Sequence, residues 1–155
     1  MFYHLILTNE CNLKCKYCFE ELVEDFEGLD IDYQLPKITS YDYKLLKKFC
    51  DKDKEGVLTF YGGEPLLCID SIKKNMDLVV PKFFMIQTNG IFLDKLDSIY
   101  VNRFHTILVS LDGNESLTNY YRGKNNYRKI INNLKLIKRN NFQGELIAND
   151  SYGKN

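Results

Sequence analysis

Short continuous apolar runs alternate with stretches whose apolar residues recur at helical spacing, so the chain reads as strands alternating with helices. Phe2 to Leu7 is almost wholly apolar, the pattern of a strand covered on both faces. Thr39 followed by Asp42 predicts a helix start, with Tyr43, Leu45, Leu46 and Phe49 as its buried stripe. Cys50 falls near that face as a small core residue, and Gly56 ends the unit. Val57 to Tyr61 is a second strand, ending in a glycine pair. Leu66 to Val79 predicts a second helix burying Leu67, Ile69, Ile72, Met76 and Val79; Cys68 lies within it, with no partner at ligand spacing. Phe83 to Ile86 is a third strand running into Gln87-Thr88-Asn89-Gly90. Leu93 to Phe104 predicts a third helix carrying Leu96, Ile99 and Tyr100, and Thr106 to Ser110 a fourth strand. Tyr127, Ile130, Ile131, Leu134 and Ile137 mark the clearest helix, Gly144 breaks it, and Glu145 to Ala148 opens a fifth strand.

Strand–helix alternation predicts an α/β fold with a parallel sheet and right-handed crossovers. Periodicity leaves a doubly wound sheet and a barrel equally open. In either, sites gather at the C-terminal ends of the strands, and the polar clusters of this chain stand there. Phe19 to Ile38 carries no helical stripe, and every charged residue from Glu20 to Asp32 is acidic. An excursion of that length is either solvated or in contact with substrate.

At 155 residues the chain predicts one domain, residues 1–155. A formal net charge of zero gives no reason to expect nucleic acid or an anionic membrane as a partner. The basic face of the last helix, Arg128, Lys129, Lys135, Lys138 and Arg139, reads as solvated, with RNA binding as the alternative. No run has the length of a transmembrane helix, and the opening strand lacks the features of a signal peptide.

The densest chemistry is Cys11-Asn12-Leu13-Lys14-Cys15-Lys16-Tyr17-Cys18. Three thiolates on one short loop can converge on one soft metal centre, and thiolates are the usual ligands of iron–sulfur clusters. Three ligands leave one iron of a four-iron cubane open to bind something. A structural zinc site needs a fourth ligand, and His4 and His105 stand far apart, each without a second ligand beside it. Disulfides are disfavoured by the odd count of five cysteines. A thiolate-bound cluster belongs in a reducing compartment, so the cytoplasm is the expected location.

The Cys-x-x-x-Cys-x-x-Cys spacing with Tyr17 before the last cysteine resembles the signature of radical S-adenosylmethionine (SAM) enzymes. The likeness continues in the family's order through Gly62-Gly63-Glu64-Pro65, Gln87-Thr88-Asn89-Gly90, Ser110-Leu111-Asp112-Gly113 and Arg122. It is most similar to the peptide- and protein-modifying branch, the SPASM-type, sulfatase-maturase-like enzymes. The resemblance implies a partial (β/α) barrel. It also implies a [4Fe–4S] cluster on Cys11, Cys15 and Cys18, whose open iron takes the amine and carboxylate of SAM. One electron then cleaves SAM to methionine and a 5′-deoxyadenosyl radical, which abstracts hydrogen from a peptide or protein substrate. A flavodoxin or ferredoxin type of electron donor is implied. Gly62 and Gly63 would admit the SAM amine and Glu64 would accept from it; Tyr17 would lie over the adenine, and Ser110 and Arg122 would bind the ribose and carboxylate. For Thr88, Asn89 and Asp112-Gly113 a turn is the alternative to a contact in the cavity.

Relatives have six β/α units; this chain supplies about four and the opening of a fifth, and no cysteine-rich second domain. It is therefore expected to be truncated, completed by a partner, or a degenerate paralogue. In relatives the remaining units supply an apolar residue against the adenine and often a carboxylate that handles a substrate proton; neither can be assigned here, so no catalytic residue is named. The rival to an enzyme is a non-catalytic module that binds cluster and SAM.

Overall fold

The structure is a computed structural model that describes residues 1–18 and 37–149; the acidic excursion lies outside them apart from its last two residues. Five strands form one parallel sheet in the order β1-β2-β3-β4-β5: β1 Phe2–Thr8, β2 Val57–Gly62, β3 Phe83–Thr88, β4 Phe104–Ser110 and β5 Glu145–Asn149. Each strand lies beside its predecessor, with no reversal of order. A doubly wound sheet has such a reversal, so the alternative left open by periodicity resolves to an open, partial (β/α) barrel.

Register builds the core. Leu5, Phe60, Ile86, Ile107 and Leu146 are partners across the five strands, and the central three are fully buried. Phe60 stacks on Phe84 at 5.9 Å between centroids and meets the edge of Phe104 at 6.1 Å. Against this face pack Ile72 and Met76 of α2 (Ile69–Leu78) and Ile130 and Ile137 of α5 (Asn126–Arg139). Truncating Ile72 to Ala should cost about 2–5 kcal/mol in denaturant unfolding. Ile99→Ala, at a side chain 70% exposed, should stay within about 0.5 kcal/mol.

Several expectations are corrected. β1 is an edge strand with one open face, Phe2 and Ile6 being 74% and 51% exposed. Helix α1 (Tyr43–Cys50) is capped by Asp42, whose side chain accepts from Lys44 N at 2.7 Å. Thr39 instead donates its backbone N–H to Leu7 O at 2.9 Å, so it starts no helix. Leu45 and Phe49 are exposed, and Cys50 with Leu46 makes the packed face. Leu67 is exposed because Pro65–Cys68 forms a 3-10 turn that rotates it out of the stripe of α2. The helix expected over Leu93–Phe104 is a 3-10 turn, Leu93–Lys95, then one short helix, α3 (Ser98–Val101), with Phe104 already in β4. A further helix, α4 (Glu115–Arg122), has no counterpart in the periodic pattern.

Candidate metal and cofactor site

The cysteine loop leaves the C-terminal end of β1 and is clamped against the end of β2. Gly63 N donates to Thr8 O and Glu64 N to Glu10 O, both at 2.9 Å. A Cβ on Gly63 would sit 2.7 Å from Asn9 O and closer still to Glu10 O, and one on Gly62 would collide with Thr8 O. The glycine pair therefore admits the protein's own loop backbone, and both residues also face the site cavity. The loop is further fixed by Cys18 N to Cys15 O and by Lys16 N to Tyr121 O of α4, each 2.9 Å.

Pro65 opens the 3-10 turn after the glycines and aims Glu64 inward, where it is fully buried. Its Oε1 accepts from Leu66 N at 2.9 Å and Thr88 Oγ1 at 2.7 Å, and its Oε2 from Asn89 N at 2.7 Å. Burial pushes the Glu64 carboxyl pKa up, and these three donors oppose the rise. Glu64 thus holds the Thr88-Asn89 turn at the end of β3. Asn89 carries the link onward: its Nδ2 donates to Asn12 Oδ1 at 2.9 Å and lies 3.7 Å from Cys11 Sγ. From α5, Asn133 Nδ2 donates to Gly90 O at 2.9 Å and Ile91 O at 3.0 Å, pinning the far side of that turn.

A second buried network closes the opposite wall. Asn114 caps α4, accepting from Leu117 N at 3.0 Å, and the helix delivers Arg122 beside Cys15. Arg122 and Asp112 are 5% and 2% exposed. Arg122 Nε donates to Asp112 Oδ2 at 2.6 Å and Nη2 to Oδ1 at 3.3 Å. Tyr17 OH donates to the same carboxylate at 3.0 Å, and the guanidinium lies 5.3 Å from the Tyr17 ring centroid. Arg122 Nη1 lies 4.0 Å from Cys15 Sγ. Burial raises the pKa values of Cys11 and Cys15; the Leu13 N–H and the Asn89 amide oppose this at Cys11, and Arg122 at Cys15.

These walls enclose a cavity of about 660 Å³ lined by Cys11, Cys15, Cys18, Tyr17, Gly62, Gly63, Ser110 and Arg122, together with Gln87, Thr88 and Asn89. That is within the roughly 300–1,000 Å³ of small-molecule sites. Among the described residues no three His, Cys, Asp or Glu side chains are placed to hold a single metal ion; the three thiols stand around the cavity. Of the residues expected to contact SAM, Glu64 does not line it and sits behind its wall. Cys50 is buried in the core and Cys68 packs against it, away from the cavity. Sequence patterning missed the role of Asp112 as the carboxylate that anchors Arg122, since Asp-Gly reads as a turn. It also missed α4, signalled only by Asn114 at its start and by Gly123, at φ 101°, at its end.

Residues 5–149 match the sequence model of the radical SAM superfamily. The chain belongs to the radical SAM superfamily. Membership implies a [4Fe–4S] cluster and SAM as cofactors. The radical SAM cyclopropyl synthase TigE of Paramaledivibacter caminithermalis is 26% identical over 153 residues, covering 88% of this chain and 32% of the relative. The GTP 3′,8-cyclase of Clostridium perfringens is 32% identical over 111 residues, covering 68% of this chain and 32% of the relative. The fold is shared with histidine-tagged anSMEcpe with bound AdoMet, at TM-score 0.69 and 22% identity over 95% of this chain and 42% of that one. It is shared also with native anSMEcpe with bound AdoMet and Cp18Cys peptide, at TM-score 0.65 and 20% identity over 94% and 42%. The chain thus spans about a third of the length of the curated relatives named here. No helix among the described residues is long and apolar enough to cross a membrane.

Proposed function

We propose that this radical SAM domain holds a [4Fe–4S] cluster on Cys11, Cys15 and Cys18, binds SAM in the same cavity, and acts on a peptide or protein. The observation that carries this is three thiols of one clamped loop facing a cavity whose other walls are strand ends and Arg122 of α4. When bound, the cluster supplies the single electron that cleaves SAM to a 5′-deoxyadenosyl radical, the species that takes hydrogen from substrate.

The chain's own residues bind and orient. Gly62 and Gly63 present bare backbone to the SAM amine. Ser110, at the end of β4, offers a hydroxyl toward the ribose. Arg122 offers positive charge toward the SAM carboxylate, although one edge of its guanidinium is engaged by Asp112. Tyr17, its hydroxyl held by Asp112, offers its ring to the adenine. Glu64 acts on this site through the Thr88-Asn89 turn, and no residue is assigned a proton-transfer role. A low-potential donor of the flavodoxin or ferredoxin type would supply the electron, and the cytoplasm is the reducing compartment that a thiolate-bound cluster suits.

A peptide substrate within the SPASM-type branch is supported by the fold shared with a protein whose structure holds AdoMet and a peptide. The similarity to a GTP cyclase covers less of this chain. Anaerobic reconstitution should give one cluster of four irons per chain. Ala at Cys11, Cys15 or Cys18 should abolish it, while Cys50→Ala and Cys68→Ala should retain it. Reduced protein should then form 5′-deoxyadenosine from SAM. Stoichiometric zinc without charge-transfer absorption would sink the cluster assignment. SAM bound yet never cleaved would make the chain a binding module.

A further inference from the structure

Asp112 makes no hydrogen bond to a cysteine, yet it organises the groups that do approach them. It engages one edge of the Arg122 guanidinium through Nε at 2.6 Å and Nη2 at 3.3 Å, and such a two-point contact fixes the plane of the fork. With that plane fixed, Nη1 lies 4.0 Å from Cys15 Sγ. The Tyr17 hydroxyl, 3.0 Å from both carboxylate oxygens, ties Asp112 to the loop between Cys15 and Cys18. Arg122 and Asp112 are 5% and 2% exposed, so water screens neither charge.

Cluster potentials respond to net charge and to hydrogen bonds on the ligating sulfurs. An unbalanced guanidinium beside Cys15 would favour the reduced, more negative cluster and raise its potential. A carboxylate on that guanidinium cancels the effect while keeping the N–H aimed at sulfur. We infer that Asp112 is a positioning residue for the cluster: acting through Arg122, it directs one guanidinium N–H at the Cys15 sulfur, cancels the cation's charge, and holds the reduction potential low. This rests on the cluster proposed above.

The test is a mediated redox titration of anaerobically reconstituted protein without SAM, following the paramagnetic signal of the one-electron-reduced cluster. Asp112→Asn should make reduction about tenfold easier, which for a one-electron couple is about 59 mV upward. Arg122→Gln should move the midpoint downward, and the double variant should return toward the parent. A merely structural pair would lower the amount of cluster without moving the midpoint of what assembles. An unchanged midpoint in Asp112→Asn, or shifts of one sign in both single variants, overturns the inference. Should Asp112→Asn fail to fold, the double variant is compared with Arg122→Gln: a higher midpoint in the double variant supports it, and equal midpoints overturn it. A parent that takes up no iron overturns the proposed cluster and the redox role with it. The Asp112–Arg122 pairing is then still read, separately, from a double-mutant cycle in unfolding of the iron-free protein.

Discussion

Replacing Glu64 by glutamine should destabilise the iron-free protein by about 1–3 kcal/mol, the usual cost of leaving a buried polar group mispaired. The carboxylate has no exposure, and three groups donate to it: Leu66 N, Thr88 Oγ1 and Asn89 N. A glutamine keeps one acceptor oxygen and places an NH₂ where the other stood. Either orientation then sets donor against donor, at Leu66 N and Thr88 Oγ1 or at Asn89 N. Glu64→Ala should cost more than the glutamine, since all three donors lose their acceptor. The pH dependence carries a sign as well. Burial holds the Glu64 pKa above its unfolded value, so the folded state binds the proton more tightly. The parent's stability is greatest below the unfolded carboxyl range and falls as pH rises through the raised folded value. The glutamine variant lacks that slope, so the gap between the two proteins should narrow with rising pH. Denaturant unfolding at several pH values measures both effects. Equal stability of parent and glutamine variant throughout would show that the three donors are satisfied without the carboxylate, leaving ligand contact as the reason for Glu64.

The parts of this molecule that sequence makes legible are those whose cause is local. The cysteine spacing, the apolar runs of β2 to β4 and the glycine pair all signal themselves within a few residues. The stripe of α5 is likewise legible, though Asn133 in its middle is not: it is buried to bond the carbonyls of Gly90 and Ile91, a tertiary reason. What stays hidden depends on distance along the chain. Tyr17 and Asp112 are 95 residues apart, and no turn signal at Asp112-Gly113 foretells that its carboxylate meets Arg122 and Tyr17. Helix α4 is hidden for another reason. Leu117 and Tyr120 are 48% and 58% exposed while its buried face is carried by Thr118 and Arg122, so it has no apolar stripe to detect. Thr39 shows the converse error: Thr39, Ser40 and Asp42 all carry capping chemistry within four residues, and only the placement of the backbone selects Asp42.

Alanine at Gly63, the smallest change available, should be among the most disruptive. The position needs no positive φ, so the expected damage is steric. The added methyl would sit 2.7 Å from Asn9 O and nearer to Glu10 O, and these are backbone atoms of the cysteine loop, which cannot turn aside as a side chain can. Overpacking costs about 1–3 kcal/mol where neighbours can adjust, and here adjustment means lifting the loop from β2. That breaks the Gly63 N to Thr8 O and Glu64 N to Glu10 O bonds and moves Cys11 away from Asn89. Gly113→Ala is the comparison. Its Cβ would meet nothing closer than Leu117 Cδ1 at 3.5 Å, and at φ +64 its strain is conformational, about 1–2 kcal/mol. Gly63→Ala should therefore lose more stability than Gly113→Ala, and the two should also differ in iron loading after anaerobic reconstitution, with Gly63→Ala largely empty and Gly113→Ala loaded. If Gly63→Ala unfolds like the parent and takes up a full cluster, yet no longer binds SAM, the glycine serves ligand approach alone and its packing role is refuted.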